Sequence, residues 1–129
     1  MAVGEEDIDE IDPDDFIHHL AQRDAWEAAK VAGEYRVSTI GMSLDEVGFI
    51  HASRPHQVAP VAQRFYVGID DLVLLTIDPD LLEVELRYEP GTGTDELFPH
   101  LYGPLPVHAV IQVVPYSADT EGTFPEVTA

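Results

Sequence analysis

The sequence predicts an α+β domain, built mainly of antiparallel β-structure flanked by two main helices, and three observations lead there. Helix-forming stretches are confined to the first half, around residues 24–32 and 55–65. Short alternating or fully apolar runs dominate the second half. Helices and strands also fail to alternate in the regular way that βαβ units require. A chain of 129 residues, 45% hydrophobic and 24% charged, suits one domain around a single core.

Taken in order, residues 1–14 lack hydrophobic periodicity and read as a disordered acidic arm. A short strand is expected over 16–20. Residues 24–32 (DAWEAAKVA) form a helix anchored by Trp26, with Gly33 where a left-handed C-cap belongs. Residues 35–39 alternate as a strand, and Ser43 with Glu46 spells a capping box for one helical turn. The run 48–53 (GFIHAS) is a compact strand. Pro55 opens a helix to about residue 65 with Val58, Val61, Ala62 and Phe65 as its apolar stripe. Pro60 is expected to kink or shorten that helix, and Gly68 to close it.

Residues 72–77 (LVLLTI) are apolar on both faces and predict a fully buried strand. A turn at 78–80 leads to an alternating strand over 84–89, with Val84, Leu86 and Tyr88 on one face and Glu85, Arg87 and Glu89 on the other. After a glycine loop come strands at 98–102 and 109–115, separated by the rigid Gly103-Pro104-Leu105-Pro106. The expected domain spans 15–116, with a flexible tail over 117–129.

Charge and composition exclude several functions. Twenty-five acidic residues oppose six Lys and Arg, for a net charge of −19, and eight of the acids fall in the first fifteen residues. Such a surface repels phosphate backbones, so no nucleic-acid partner is expected. No apolar run approaches the roughly 20 residues of a bilayer span, and no basic-then-apolar leader is visible. The absence of cysteine removes disulfides, thiolate nucleophiles and zinc-thiolate sites, and fits a reducing cytoplasm.

Candidate chemistry lies in polar residues set within apolar strands. In GFIHAS, alternation puts Phe49, His51 and Ser53 on one face. There His51 and Ser53 can hold one ligand group together, or His51 can donate to a backbone carbonyl while Ser53 caps the next helix. In FPHLYG, Phe98, His100 and Tyr102 share a face, an aromatic wall suited either to stacking on a planar ring or to packing in the core. Glu89 ends a strand beside a glycine loop, where a carboxylate can steady a developing cation, pair with Arg87 or simply be solvated. Cations are scarce, and Arg36 and Arg54 are the candidates for a phosphate contact. His18 and His19 are adjacent and so face opposite ways on a strand. No spacing enforces a metal set, and no metal is expected, although His19, His51 and His100 were the combination worth weighing.

The order of these motifs, DAWEAAKVAGEYR, GFIHAS, LVLLTID, Tyr88-Glu89 and LFPHLYGPLP, resembles the family catalogued as domain of unknown function 952, over roughly residues 16–115. The resemblance implies an ADP-ribosyltransferase-like fold, a split and highly curved β-structure with flanking helices. It also implies a cleft for NAD using a His, an aromatic and a Glu, here His51, Tyr102 or Phe98, and Glu89. Ala52 stands where relatives commonly have Cys, which argues against thiol chemistry. The expected function is therefore binding of a nucleotide- or NAD-like small molecule, with transfer or hydrolysis of its glycosidic bond. In that reading His51, Glu89 and His100 are catalytic, and Ser53, Phe98, Tyr102, Arg36 and Arg54 bind. A non-catalytic ligand-binding or protein-interaction module is the alternative.

Overall fold

The strand with two apolar faces turns out to be the centre of the molecule. In the computed structural model, which describes residues 11, 12 and 14–128, strand β6 (Leu72–Ile77) lies between β1 (Ile17–Gln22) and β10 (Val110–Tyr116), antiparallel to both. Val73, Leu75 and Ile77 enter one hydrophobic cluster and Leu72 and Leu74 another, so this sheet divides the core into two. The single core expected from chain length is thus a sandwich of two clusters around one sheet. The acidic arm expected over 1–14 lies outside the described residues except for 11, 12 and 14.

Helix α1 (Arg23–Ala32) closes the first cluster with Trp26 and Ala29 and ends at Gly33 in the left-handed region, φ 91°. The expected strand over 35–39 is instead two short strands in different ladders. The first, β2 (Glu34–Tyr35), pairs with β9 (Leu105–Pro106). The second, β3 (Val37–Thr39), pairs with β4 (Met42–Ser43). Between them the Arg36 carbonyl accepts the Leu44 N–H at 2.8 Å, which marks where the chain changes partner. The capping box is present: Ser43 and Glu46 exchange bonds of 3.2 and 2.9 Å at the start of α2 (Leu44–Val47).

Helix α3 (Pro55–Phe65) buries Val58, Val61 and Ala62 against the second cluster. It runs through Pro60 without interruption. The bond a proline forfeits there would go to the carbonyl of His56, an exposed residue in the first turn. The helix ends on Tyr66, ahead of Gly68. Its N-cap is Arg54, whose backbone N–H donates to Gln57 Oε1 at 2.9 Å. The expectation that Ser53 caps this helix is therefore corrected: Ser53 lies one residue too early, and its backbone is bonded elsewhere.

A second three-stranded sheet has the order β5-β8-β7, from β5 (Ile50–His51), β8 (Leu97–Tyr102) and β7 (Glu85–Pro90), all antiparallel. One face of this sheet, with Ile50, Ala52, Leu86 and Leu101, completes the first cluster. At its end, Gly103 passes so close to Val84 that a Cβ there would lie 2.5 Å from a valine methyl. The fold is α+β with mostly antiparallel sheets. No helix among the described residues is long and apolar enough to cross a membrane.

Residues 117–128, expected as a flexible tail, form no helix or strand and are mostly exposed, but Phe124 anchors the segment to the body of the fold. Phe124 is 4% exposed and stacks on Tyr116 at 5.5 Å between centroids. Tyr116 Oη donates to the Pro125 carbonyl at 2.6 Å, and Gln63 of α3 bonds the backbone of Gly122 and Phe124. Phe124→Ala should therefore lower stability by about 3 kcal/mol in urea unfolding, the scale of a buried Phe truncation. A loss under about 0.5 kcal/mol would show that this segment adds nothing.

Candidate functional site

Segment 50–53 builds the site because it is paired on both sides. Ile50 and His51 pair with Leu101 and His100 of β8, and the Ala52 N–H donates to the Pro99 carbonyl at 2.9 Å. Ser53 then turns to β1, exchanging two backbone bonds of 2.8 and 2.7 Å with His18. Because cross-strand partners share a face, register alone places His51, His100 and Arg87 in one row. Glu89 with Phe98, and Glu85 with Tyr102, form the rows on either side. This face is the reverse of the one packed into the first cluster.

Glu89 is the focus of the row. One of its oxygens, Oε1, accepts from His100 Nδ1 at 2.9 Å and from Tyr102 Oη at 2.5 Å. These two donors, the Tyr102 bond first, hold its carboxyl below the ordinary range, while the hydrogen bond to Glu89 pushes the Tyr102 phenol up. Since a carboxylate can only accept, the Nδ1 proton of His100 is assigned from this bond. Arg87 does not pair with Glu89, the plainer account of that residue. Its guanidinium makes two bonds to Glu85, at 2.9 and 3.0 Å, and lies 4.3 Å over the Tyr102 ring.

His51 is half-buried, with its ring 5.4 Å from His100 and 5.1 Å from Phe98. No described residue hydrogen-bonds its ring nitrogens. Burial, then the neighbouring His100 and His19, lower its pKa to about 4, so the ring is neutral near pH 7. Its backbone carbonyl accepts from His19 Nδ1 at 2.7 Å, and His19 Nε2 in turn meets Tyr35 Oη at 3.0 Å. With the Nδ1 proton fixed on the carbonyl, His19 accepts the Tyr35 hydroxyl, and burial lowers its pKa to about 4. Both nitrogens of His19 are thus engaged, which removes the His19, His51, His100 combination as a ligand set. Among the described residues no group of three His, Asp or Glu is placed to hold a metal.

Several expected contacts are relocated. His100 is 4% exposed, lying under Phe49, whose ring stacks on it at 4.0 Å and 19°. His100 accordingly orients Glu89 instead of reaching outward. Phe98 is 7% exposed and wedged against Gly91, where a Cβ would lie 2.8 Å from the ring, so it is wall and not a stacking platform. Ser53 is buried beside His18. Arg36 divides its guanidinium between Glu34 and Asp45, at 2.9 and 3.0 Å. The charge of Arg54 acts on Tyr88, which alternation puts on the opposite face from Glu89. Phe49 and Arg87 also lie on this face, although the sequence reading gave neither a role there. Alternation alone puts Phe49 beside His51 and Arg87 beside Glu89.

A family model described as protein of unknown function (DUF952) matches residues 20–113. The chain belongs to the DUF952 family. Its match contains every candidate residue, from Arg36 to Tyr102. The crystal structure of CC0527 from Caulobacter crescentus is 32% identical to this DUF952 chain, covering 86% of it and 94% of that chain, with a TM-score of 0.75. A double mutant of CC0527 superposes equally well at 31% identity, with the same coverage. The solution structure of CC0527 is 33% identical over 84% of this chain and 90% of that one, with a TM-score of 0.69. No curated protein matches the chain.

His19 and His51 give this family member a defined acid response. Both have folded pKa values near 4, below the ordinary 6.5, so between those values the unfolded chain binds protons that the fold excludes. Their contribution is complete above pH 6.5 and is lost as pH falls toward 4, at about 1.4 kcal/mol per pH unit for each fully engaged group. Urea unfolding across this range should show the fall, and His51→Phe should make it shallower. An unchanged slope in that variant would mean that His51 titrates normally in the fold.

Proposed function

We propose that the β5-β8-β7 face binds a nucleotide- or NAD-like small molecule and acts on its glycosidic bond. The observation that carries this reading is Glu89, an ionised carboxylate fixed by Tyr102 and His100 beside a neutral His51 whose ring nitrogens no described residue bonds. A glycosidic bond breaks through an oxocarbenium-like centre, and a carboxylate already ionised and oriented stabilises that charge without reorganising. His51 supplies an acceptor or donor for a ribose hydroxyl, Phe49 and Tyr102 supply ring faces, and Arg87 supplies the phosphate contact in place of Arg36 and Arg54. This chemistry is what the ADP-ribosyltransferase-like grouping implied by the family resemblance would call for.

A second reading has its own support. His100 is covered by Phe49, so the Tyr102–Glu89–His100 group also serves as a clamp between β7 and β8. A domain so clamped can bind a ligand or a protein without transforming it.

Calorimetric titration with NAD and ADP-ribose should detect binding at millimolar ligand or better, and His51→Ala should abolish it with little change in melting temperature. Nicotinamide release from NAD should fall about 100-fold in Glu89→Gln. Binding without release would leave the non-catalytic module. The absence of heat with either ligand would remove the nucleotide reading altogether.

A further inference from the structure

Away from the Glu89 face, a cavity of about 300 Å3 opens beneath the β3–β4 hairpin. Its floor is buried: Leu20 of β1, Tyr35 of β2 and Tyr66 beyond α3 are all at most 7% exposed. Its rim is exposed and includes Gln22, Gly41, Met42 and Glu46. The volume sits at the lower end of the roughly 300–1,000 Å3 typical of small-molecule sites.

The lining chemistry is one-sided. Aliphatic walls from Leu20, Val37 and Ile40 are joined by two phenol rings, and Glu46 is the only charged residue among the lining residues. None of the described residues lining the cavity is Lys or Arg. The Glu46 carboxyl is held below its ordinary range by the Ser43 bonds of the capping box. The box takes Oε1, and a carboxylate has a second oxygen to offer. Aromatic rings on the floor favour an apolar or aromatic body through ring packing. The −19 charge of the whole chain draws cations toward such a mouth and repels anions.

We propose that this cavity is a second binding site, one that takes a small primary amine with an aromatic or branched apolar body. The body fills the space over Leu20, Tyr35 and Tyr66, and the ammonium group meets Glu46 at the rim. The site stands independently of the chemistry assigned to the Glu89 face, since none of its lining residues belongs to that face.

The test uses the full chain and three ligands of one shape: 2-phenylethylamine, 2-phenylethanol and 3-phenylpropionate. Binding is followed by amide chemical shifts and calorimetry. The amine should bind at millimolar concentration or below, about fivefold tighter than the alcohol, and the acid should not bind. Shifts should centre on Ile40, Gly41 and Met42. Glu46→Gln retains an amide oxygen for the Ser43 N–H, so the helix cap survives while the charge is lost. In that variant the amine should weaken to the level of the alcohol. The proposal is overturned if the amine fails to bind, if amine and alcohol bind alike, if Glu46→Gln leaves the amine unaffected, or if the shifts map to His51 and Tyr102.

Discussion

Residues 50–53 are hydrogen-bonded to β8 along one edge and to β1 along the other, and this double pairing joins the two three-stranded sheets. The central β6 sheet and the Glu89 sheet have no other direct ladder between them among the described residues. Their relative placement, and hence the position of His51 opposite His100, depends on four residues with almost no freedom to shift. A slip of one position would turn His51 into the first hydrophobic cluster and Ile50 out to solvent. The same segment also offers the His51 carbonyl to His19, so the site's backbone is anchored from beneath.

Electrostatically the site is unusual for this chain. Among the described carboxylates, Glu34, Asp45, Asp71 and Glu85 are paired with arginines, but Glu89 accepts from an imidazole and a phenol on its own sheet. Arg36, which a sequence reading assigns to a ligand, is held by Glu34 and Asp45 instead, and Arg87 is held by Glu85. Arg87 differs from Arg36 in location: register and the Tyr102 ring hold it over the working face.

Much of this was legible in the residues. Two apolar faces marked β6 as buried, Pro55 and the Val58, Val61, Ala62 stripe marked α3, although Phe65, read into that stripe, is 51% exposed, and alternation gave the faces of His51, of His100 with Tyr102, and of Glu89 strand by strand. Other features depend on long-range geometry that local pattern does not encode. The strand break at Arg36 follows from a partner 70 residues away at Leu105–Pro106. Gln63 and Tyr116, not any propensity in 117–128, hold the tail in place. Phe98 and His100 read as a stacking wall because alternation gives a face but not what covers it, and here Phe49 covers His100 while Phe98 is wedged against Gly91.

The chain Tyr35 Oη, His19 Nε2, His19 Nδ1, His51 carbonyl runs through the interior between the two candidate sites. Tyr35 lines the cavity under the β3–β4 hairpin, while His51 belongs to the Glu89 face. Sequestered hydroxyl and imidazole protons of this kind exchange slowly with solvent and resonate far downfield in proton NMR. The fold thus links the floor of the cavity to the backbone of the Glu89 face through one buried imidazole.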